Sequence, residues 1–227
     1  EPYRHWVRTA ISGNMPWNEF TRNLIASSGD GWDPNTAAVG YYTRDRGMPL
    51  DNLSNTMRVF LGTRMECAQC HDDPFGTTER HDFYQLAAFT HGQSTVGQDY
   101  MAPLWKELNE GERSQSEDYS VAQVLWDRVY GMSLGGGGAG QIQLPSDYQY
   151  RDAKPGELVG ARTPFGQTVR ISEKRAESDG REKLAGWIVG KTNDQFPTVI
   201  ANRMWKRIMG KGVYEPVDEF IPTDKTT

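Results

Sequence analysis

Cys67, Cys70 and His71 are the residues of this chain whose types and spacing could do chemistry. They lie in the pentapeptide Cys67-Ala68-Gln69-Cys70-His71, which contains the only two cysteines of the 227-residue sequence. The C-x-x-C-H pattern is the covalent attachment signature of a c-type haem. Two thiols can add across the two vinyl groups of one porphyrin, and the imidazole can ligate its iron. The pattern therefore predicts one covalently attached haem c, with His71 as the proximal axial ligand.

The same two cysteines could instead belong to a zinc site, a redox-active dithiol or a disulfide. Zinc would need further ligands, and beside His71 the sequence offers only His5, His81 and His91. None of these histidines has the His-x3-5-His spacing typical of structural zinc sites. A thioredoxin-like dithiol normally lies between a strand and a helix, and the residues before Cys67 do not resemble such a strand. We therefore favour haem attachment and keep the others as alternatives.

The composition limits the classes of partner. Only 37% of the residues are hydrophobic, but the chain carries 7 Trp, 10 Tyr and 8 Phe, so aromatic rings are expected to supply much of the buried surface. The formal net charge is -5, with acidic and basic residues interspersed, which argues against a nucleic-acid-binding protein. No stretch approaches the roughly 18 apolar residues of a transmembrane helix, so no transmembrane segment is expected in this portion.

Hydrophobic periodicity predicts a mainly α protein with irregular loops and a short β-containing excursion. Helices are predicted over residues 16–28, from Asp51 through Gly62 to the motif, and over residues 78–90, 119–130, 181–189 and 195–209. The predicted strands cover residues 141–144, 148–150 and 167–170, and residues 29–50 and 135–138 are predicted loops. Asn14 is the expected cap of the first helix, and Gly62 is a weak point in the second, which is expected to lead directly into Cys67.

We divide the sequence into three parts. Residues 1–135 are predicted to be a helical haem c-binding domain, residues 136–180 a connecting region of loops and short strands, and residues 181–227 the helical start of a partner domain.

Several segments carry motifs of one family. They are FLGT at 60–63, CAQCHD at 67–72, FYQLAAF at 83–89, LPSDYQY at 144–150 and ANRMW at 201–205. Together they resemble the planctomycete-type cytochrome c proteins, which are large multidomain extracytoplasmic proteins. The chain departs from the family at Asp73, where a second histidine is usual. The resemblance implies a cytochrome c-like helical domain and electron transfer, in a chain that starts inside one domain and stops just inside the next.

Several residues near the motif are candidates for contact with the haem. Arg64, Arg80 and Arg203 could each pair with a propionate, because a guanidinium offers a bidentate fork to a carboxylate. Of these we select Arg64 as a haem-binding residue. Phe75 is added because Pro74-Phe75 belongs to the haem segment that the resemblance identifies.

The distal iron ligand is left open between two residues. His91 follows His71 by twenty positions and is the favoured candidate, whereas Met101 is comparable to the loop methionines of small cytochromes c. Met204 and Trp205 are instead expected to make core and inter-helix contacts.

Three functions follow as hypotheses. The leading one is one-electron transfer through a single haem, with a redox partner protein or other subunits of a larger complex as partners. The second is a haem enzyme or sensor with an open iron position, and the third is a structural or interaction module that its haem stabilises. Because haem c is attached outside the bacterial cytoplasm, the hypothesis also predicts an exported, periplasmic or otherwise extracytoplasmic protein.

Overall fold

The structure is a computed structural model that describes residues 2–45, 48–76, 78–91, 133–135, 140–165, 168–169, 171 and 180–220. The chain divides into two compact units. The first unit comprises Glu1–Gly47 and Gln93–Gly136, and the second comprises Met48–Gly92 and Gly137–Thr227. Each unit combines two stretches of chain that contact each other in space. The division of the sequence into three consecutive parts stays a prediction.

The described part of the chain is mainly α-helical, as predicted. In the first unit the elements are α1 (Pro2–Ser12), α2 (Trp17–Ile25), β1 (Gly29–Asp30), a 3-10 helix (Ala37–Val39), α3 (Gly40–Thr43) and β2 (Ser133–Leu134). In the second unit they are α4 (Pro49–Leu61), a 3-10 helix (Cys67–Gln69), α5 (Arg80–Ala87), β3 (Gln141–Gln143), β4 (Leu158–Gly160), α6 (Gly180–Ile188) and α7 (Gln195–Met209). β1 pairs with β2, and β3 with β4, both antiparallel.

The first unit contains one confirmed helix and two corrections. α2 forms where predicted, but Pro16 precedes it, and Asn14 lies in a turn with φ 53° instead of capping it. The predicted loop over residues 29–50 contains helical turns because its Ala, Val and Tyr side chains are buried. Tyr42 anchors these turns by donating its hydroxyl to the main-chain oxygen of Ile25 at 2.6 Å.

α4 of the second unit ends at Leu61, before the motif begins at Cys67. Pro49 occupies the first helical turn, where its missing N–H costs nothing. At the other end Gly62 adopts φ 60°, and its N–H bonds to the oxygen of Arg58. Gly62 therefore terminates the helix instead of weakening it, and residues 62–66 separate α4 from Cys67. The expectation that the helix leads directly into the motif is wrong.

The other predicted elements have mixed outcomes. α5, α6 and α7 form in the predicted helical segments, and β3 forms within the predicted strand at 141–144. The predicted strand at 148–150 is absent, and β3 pairs instead with β4, so that Ile142 lies opposite Val159. The predicted helix at 119–130 lies outside the described residues, as do residues 136–138 and two of the four residues in the predicted strand at 167–170.

α7 packs against α4 on one face, and its other face is exposed. Its Phe196 and Val199 are buried, and Gln195 donates to the main-chain oxygen of Leu61 at 2.7 Å. Met204 and Trp205 are 51% and 49% exposed, so the expectation that they make core contacts is wrong. The helical period places them on the side opposite to Val199.

None of the described helices combines the length and apolarity needed to cross a membrane.

Candidate functional site

The C-x-x-C-H motif forms a single tight turn in the second unit. The main-chain oxygen of Cys67 accepts hydrogen bonds from the N–H groups of Cys70 and His71, both at 3.1 Å. Cys67 and Cys70 are exposed and are not joined to each other, whereas the spacer residue Ala68 is fully buried. The turn therefore presents both thiols on the outside while Ala68 holds it against the core.

The second spacer residue, Gln69, links the turn to two helices. Its side-chain amide donates to the carboxylate of Asp51 and the hydroxyl of Ser54 in α4, each at 3.1 Å. Its main-chain oxygen accepts the Arg80 Nε–H at 3.3 Å and the Tyr84 hydroxyl at 3.2 Å from α5. Because both sides of Gln69 are bonded, the spacing of the cysteines is supported by α4 and α5 together.

Arg80 is the charged centre of this support. Its side chain is 2% exposed and donates to the Asp147 carboxylate at 2.8 Å and to the Asp147 main-chain oxygen at 3.4 Å. It also lies over the rings of Tyr84 and Tyr148, at 5.9 and 5.5 Å from their centres. Burial alone would lower the pKa of Arg80, but the hydrogen bonds and charges of Asp147 and Tyr84 outweigh burial and raise it. The guanidinium therefore stays charged.

These contacts separate the three candidate arginines. Arg80 directs its guanidinium at groups inside the protein, and Arg203 donates to the oxygen of Arg58 at 2.8 Å and the carboxylate of Asp218 at 2.7 Å. Arg64 is exposed and forms no ion pair or side-chain hydrogen bond within the described residues. Its guanidinium, three positions before Cys67, remains able to meet an anionic group.

His71 is exposed and engaged through one ring nitrogen. Its Nδ1 lies 2.8 Å from the main-chain oxygen of Asp72. Since a carbonyl oxygen only accepts, this bond requires the proton on Nδ1, and in the neutral ring it leaves the lone pair of Nε2 available. Histidine ligands of metals commonly bond their second nitrogen to a carbonyl or carboxylate in this way.

Asp73 and Phe75 shape the loop that follows. The Asp73 carboxylate accepts the N–H of Phe75 at 2.9 Å, and the Asp73 N–H donates to the oxygen of Thr78 at 3.0 Å. Asp73, the residue that departs from the resembled family, thus stabilises the turn. The Phe75 side chain is 91% exposed, so the loop that follows the motif presents an apolar ring to an incoming group.

The two candidate distal ligands stay predictions. His91 follows α5, its N–H bonded to the oxygen of Ala87, and its pKa is lowered because burial disfavours the charged ring. It lies beyond the C-terminal end of α5, whereas the motif is bonded to Arg80 and Tyr84, the first and fifth residues of that helix. Met101 lies outside the described residues.

Among the residues that the structure describes, no group of three or more His, Cys, Asp or Glu side chains is arranged to hold an ion. A cavity of about 350 Å³ lies in the first unit, lined by residues such as Trp6, Met15 and Glu19, and none of its lining residues belongs to the motif.

Residues that sequence reasoning missed complete the site: Gln69, Asp72, Tyr84, Asp147, Tyr148 and Tyr150. Three of them lie in the LPSDYQY segment, which the resemblance marked only as a connecting region. Its density of tyrosines beside an aspartate was the available signal, since such side chains tend to form hydrogen bonds when they are buried.

The fit to a haem can be judged from the donor set. The turn offers two accessible thiols for the vinyl groups and an imidazole with a free Nε2 for the iron. The exposed ring of Phe75 suits the apolar edge of the porphyrin, and the exposed guanidinium of Arg64 suits a propionate. The residues present therefore fit this group.

Comparison with known families matches the two ends of the chain. Residues 1–94 match the model PSCyt2, a protein of unknown function (DUF1549), and residues 180–226 match the model PSD1, a protein of unknown function (DUF1553). No curated protein and no solved structure matches the chain. The first match contains the motif and the second contains α6 and α7. Both are consistent with the planctomycete-type family, and the first carries the name of a cytochrome-like one.

Proposed function

We propose that this chain is a c-type cytochrome module that transfers single electrons through one haem attached covalently at Cys67 and Cys70. His71 is the proximal ligand, and the module works within a larger extracytoplasmic assembly. One observation carries the proposal: the motif turn buries Ala68 of its spacer and exposes both unbonded thiols next to His71. The bound haem would supply the one-electron redox chemistry.

The chain's own residues have distinct parts in this proposal. Ala68 and Gln69 hold the turn so that the two thiols keep a fixed separation during attachment. Arg64 would supply a cation for a propionate, and Phe75 would supply an apolar contact for the porphyrin. The thioether bonds would persist when the chain unfolds, so any added stability would come from iron ligation by His71 and from apolar contacts that exist only in the folded chain.

The direct test is production of the chain with an export leader in a host that matures cytochromes c. We expect a pyridine haemochrome spectrum of haem c and an intact mass, under denaturing conditions, equal to the polypeptide plus one haem. The same chain made without the leader should carry none. An exported chain with the mass of the bare polypeptide contradicts the proposal.

Point variants assign the attachment residues. Cys67→Ala and Cys70→Ala should each leave one thioether bond, and the double variant should leave no haem after denaturation. His71→Ala removes the proximal ligand, while His81→Ala is the matched control on α5 and should leave the spectrum unchanged. A haem that survives denaturation in the double cysteine variant would contradict attachment at this motif.

The same preparation separates a carrier from a haem enzyme or sensor. A carrier with two protein ligands has a low-spin spectrum and does not bind carbon monoxide, whereas an open iron position gives a high-spin spectrum and binds it. Under the carrier proposal, His91→Ala or Met101→Ala should open the iron if that residue is the distal ligand. Carbon monoxide binding by the unaltered chain would favour the enzyme or sensor.

A further inference from the structure

We propose that Tyr150 and Asp72 are positioning residues that orient His71 as an iron ligand. The inference rests on the proposed haem function and deepens it, because it names the groups that hold the proximal imidazole. Neither residue touches the iron in this scheme. Both act through the main-chain oxygen of Asp72, which accepts the Nδ1–H of His71.

Three hydrogen bonds converge on Asp72. Its main-chain oxygen meets His71 Nδ1 at 2.8 Å, its main-chain N–H donates to the Tyr150 hydroxyl at 2.7 Å, and its carboxylate accepts the Arg80 N–H at 2.8 Å. The first bond holds the imidazole and the other two hold Asp72. The carbonyl that receives the imidazole proton is therefore fixed from two directions.

The carboxylate bond ties Asp72 to the first turn of α5. The N–H groups of a first helical turn have no partner within the helix, and the carboxylate of Asp72 supplies one for Arg80. A negative charge there is also favoured by the positive end of the helix dipole. Asp72 is thus set on a rigid element although its own side chain is exposed.

Tyr150 lies 78 positions after Asp72 in the sequence, and neighbouring side chains hold it in place. Its ring packs edge-on against Tyr148 at 5.5 Å between centres. Tyr148 is 2% exposed, donates its hydroxyl to Asp152 at 2.8 Å and lies under the Arg80 guanidinium. The Tyr150 hydroxyl therefore reaches Asp72 from a buried aromatic cluster and not from a free loop.

The expected effect is on the imidazole. A fixed acceptor at Nδ1 selects the tautomer with Nε2 free, orients the ring and strengthens it as a ligand. If Asp72 loses one support, its carbonyl moves more freely and the Nε2–H tautomer gains population. In the loaded protein the weaker ligand stabilises ferric iron less, so the reduction potential rises.

The test compares the unaltered full chain with Tyr150→Phe, which removes only the hydroxyl. Nitrogen NMR of histidine-labelled chain without haem measures the ratio of the two His71 tautomers, and potentiometry of the loaded chain measures the reduction potential. We expect the ratio of Nδ1–H to Nε2–H to fall by up to about fivefold, because the free energy transmitted to the imidazole cannot exceed that of the one hydrogen bond removed. The potential should move upward.

Tyr42→Phe is the matched control, because it removes a tyrosine hydroxyl that donates to the Ile25 oxygen in the first unit. It should change neither readout. If circular dichroism shows that Tyr150→Phe is unfolded, Asp72→Ala, which removes the bond to α5, replaces it with the same expected direction.

The outcomes separate this inference from the proposed function. A chain that never carries haem contradicts the function, whereas the tautomer ratio still tests the role of Tyr150. A chain that carries haem, but whose tautomer ratio and potential are the same in Tyr150→Phe and Tyr42→Phe, overturns the inference alone.

Discussion

The main-chain oxygen of Gln69 accepts the Nε–H of Arg80 at 3.3 Å, so the residue between the two cysteines is bonded to a buried guanidinium. The cysteines themselves are exposed, whereas Arg80 is 2% exposed. The reactive groups and the group that supports them are therefore on opposite sides of the same turn. The stability of the motif should accordingly depend more on Arg80 than on the cysteines.

Arg80→Lys tests this support. A lysine keeps the charge but lacks the planar guanidinium, which bonds Gln69 and Asp147 at the same time. At least one of these two acceptors should therefore lose its hydrogen bond. We expect the free energy of unfolding to fall by roughly 1–3 kcal/mol, measured by urea denaturation followed by circular dichroism. Arg64→Lys, at an exposed arginine, should stay within about 0.5 kcal/mol. Equal values for the two variants would show that the buried contacts of Arg80 add nothing.

Gly62→Ala tests the end of α4. The residue has φ 60°, and an added Cβ would lie 3.0 Å from Val199 and 3.1 Å from Phe220. Gly210, at φ 81°, ends α7 with nothing within 4 Å of such a Cβ. Gly210→Ala should cost about 1 kcal/mol from backbone strain alone, and Gly62→Ala should cost more. Chemical denaturation of both variants measures the difference, and a smaller cost at Gly62 would mean that the neighbouring side chains give way.

Ile208→Ala and Ile188→Ala make the same change on two helices. Ile208 is 79% exposed at the C-terminal end of α7, and Ile188 is fully buried at the end of α6. Removing buried methyl groups costs roughly 2–5 kcal/mol, whereas an exposed change stays within about 0.5 kcal/mol. Denaturation midpoints in urea should therefore shift for Ile188→Ala only. A large loss for Ile208→Ala would indicate that this face is covered in solution.

Glu215 should contribute to stability against acid. The Gly212 N–H bonds its carboxylate at 2.9 Å, and Lys206 approaches it at 3.0 Å, so the pKa of Glu215 is lowered from the model-compound value of 4.5. A carboxyl whose folded pKa lies below its unfolded pKa binds fewer protons when folded. Its stabilisation is therefore complete above about pH 4.5 and is lost as the pH falls through the folded pKa.

Glu215→Gln keeps an oxygen that can accept the Gly212 N–H but cannot ionise. The variant should be less stable than the unaltered chain at pH 7, and the difference should shrink as the pH is lowered below 4.5. Thermal unfolding across this pH range provides the measurement. A constant difference at every pH would mean that the charge of Glu215 has no part in folding.

Much of the helical framework could be predicted because it is encoded locally. α2, α5, α6 and α7 arise from apolar residues at helical spacing, and each was predicted within a few residues of its bounds. Gly62 was harder, because a glycine near the end of a periodic segment can weaken a helix or terminate it. The left-handed φ at this position decides between these alternatives, and its steric neighbours come from residues far along the chain.

The exposed face of α7 is a feature that could not be predicted from the local sequence. Met204 and Trp205 are apolar, so burial was the natural prediction, but burial depends on which other elements reach that side of the helix. Hydrophobic periodicity shows which residues share a helix face, but it does not show whether another element packs against that face. The same reasoning explains the absent strand at 148–150, where Tyr148 packs against Arg80 and Tyr150 packs against Tyr148.

By itself the sequence determined the residue types of the candidate site: two cysteines and a histidine at fixed spacing, whose chemistry depends on side-chain identity and local distance. Only the tertiary structure decided which side of that turn faces outward and what supports it. The supporting residues are distant in sequence: Tyr150 lies 78 positions after Asp72, and Asp147 lies 67 positions after Arg80. Hydrogen bonds between such distant groups exist only after the chain has folded, because packing and not sequence spacing brings donor and acceptor together.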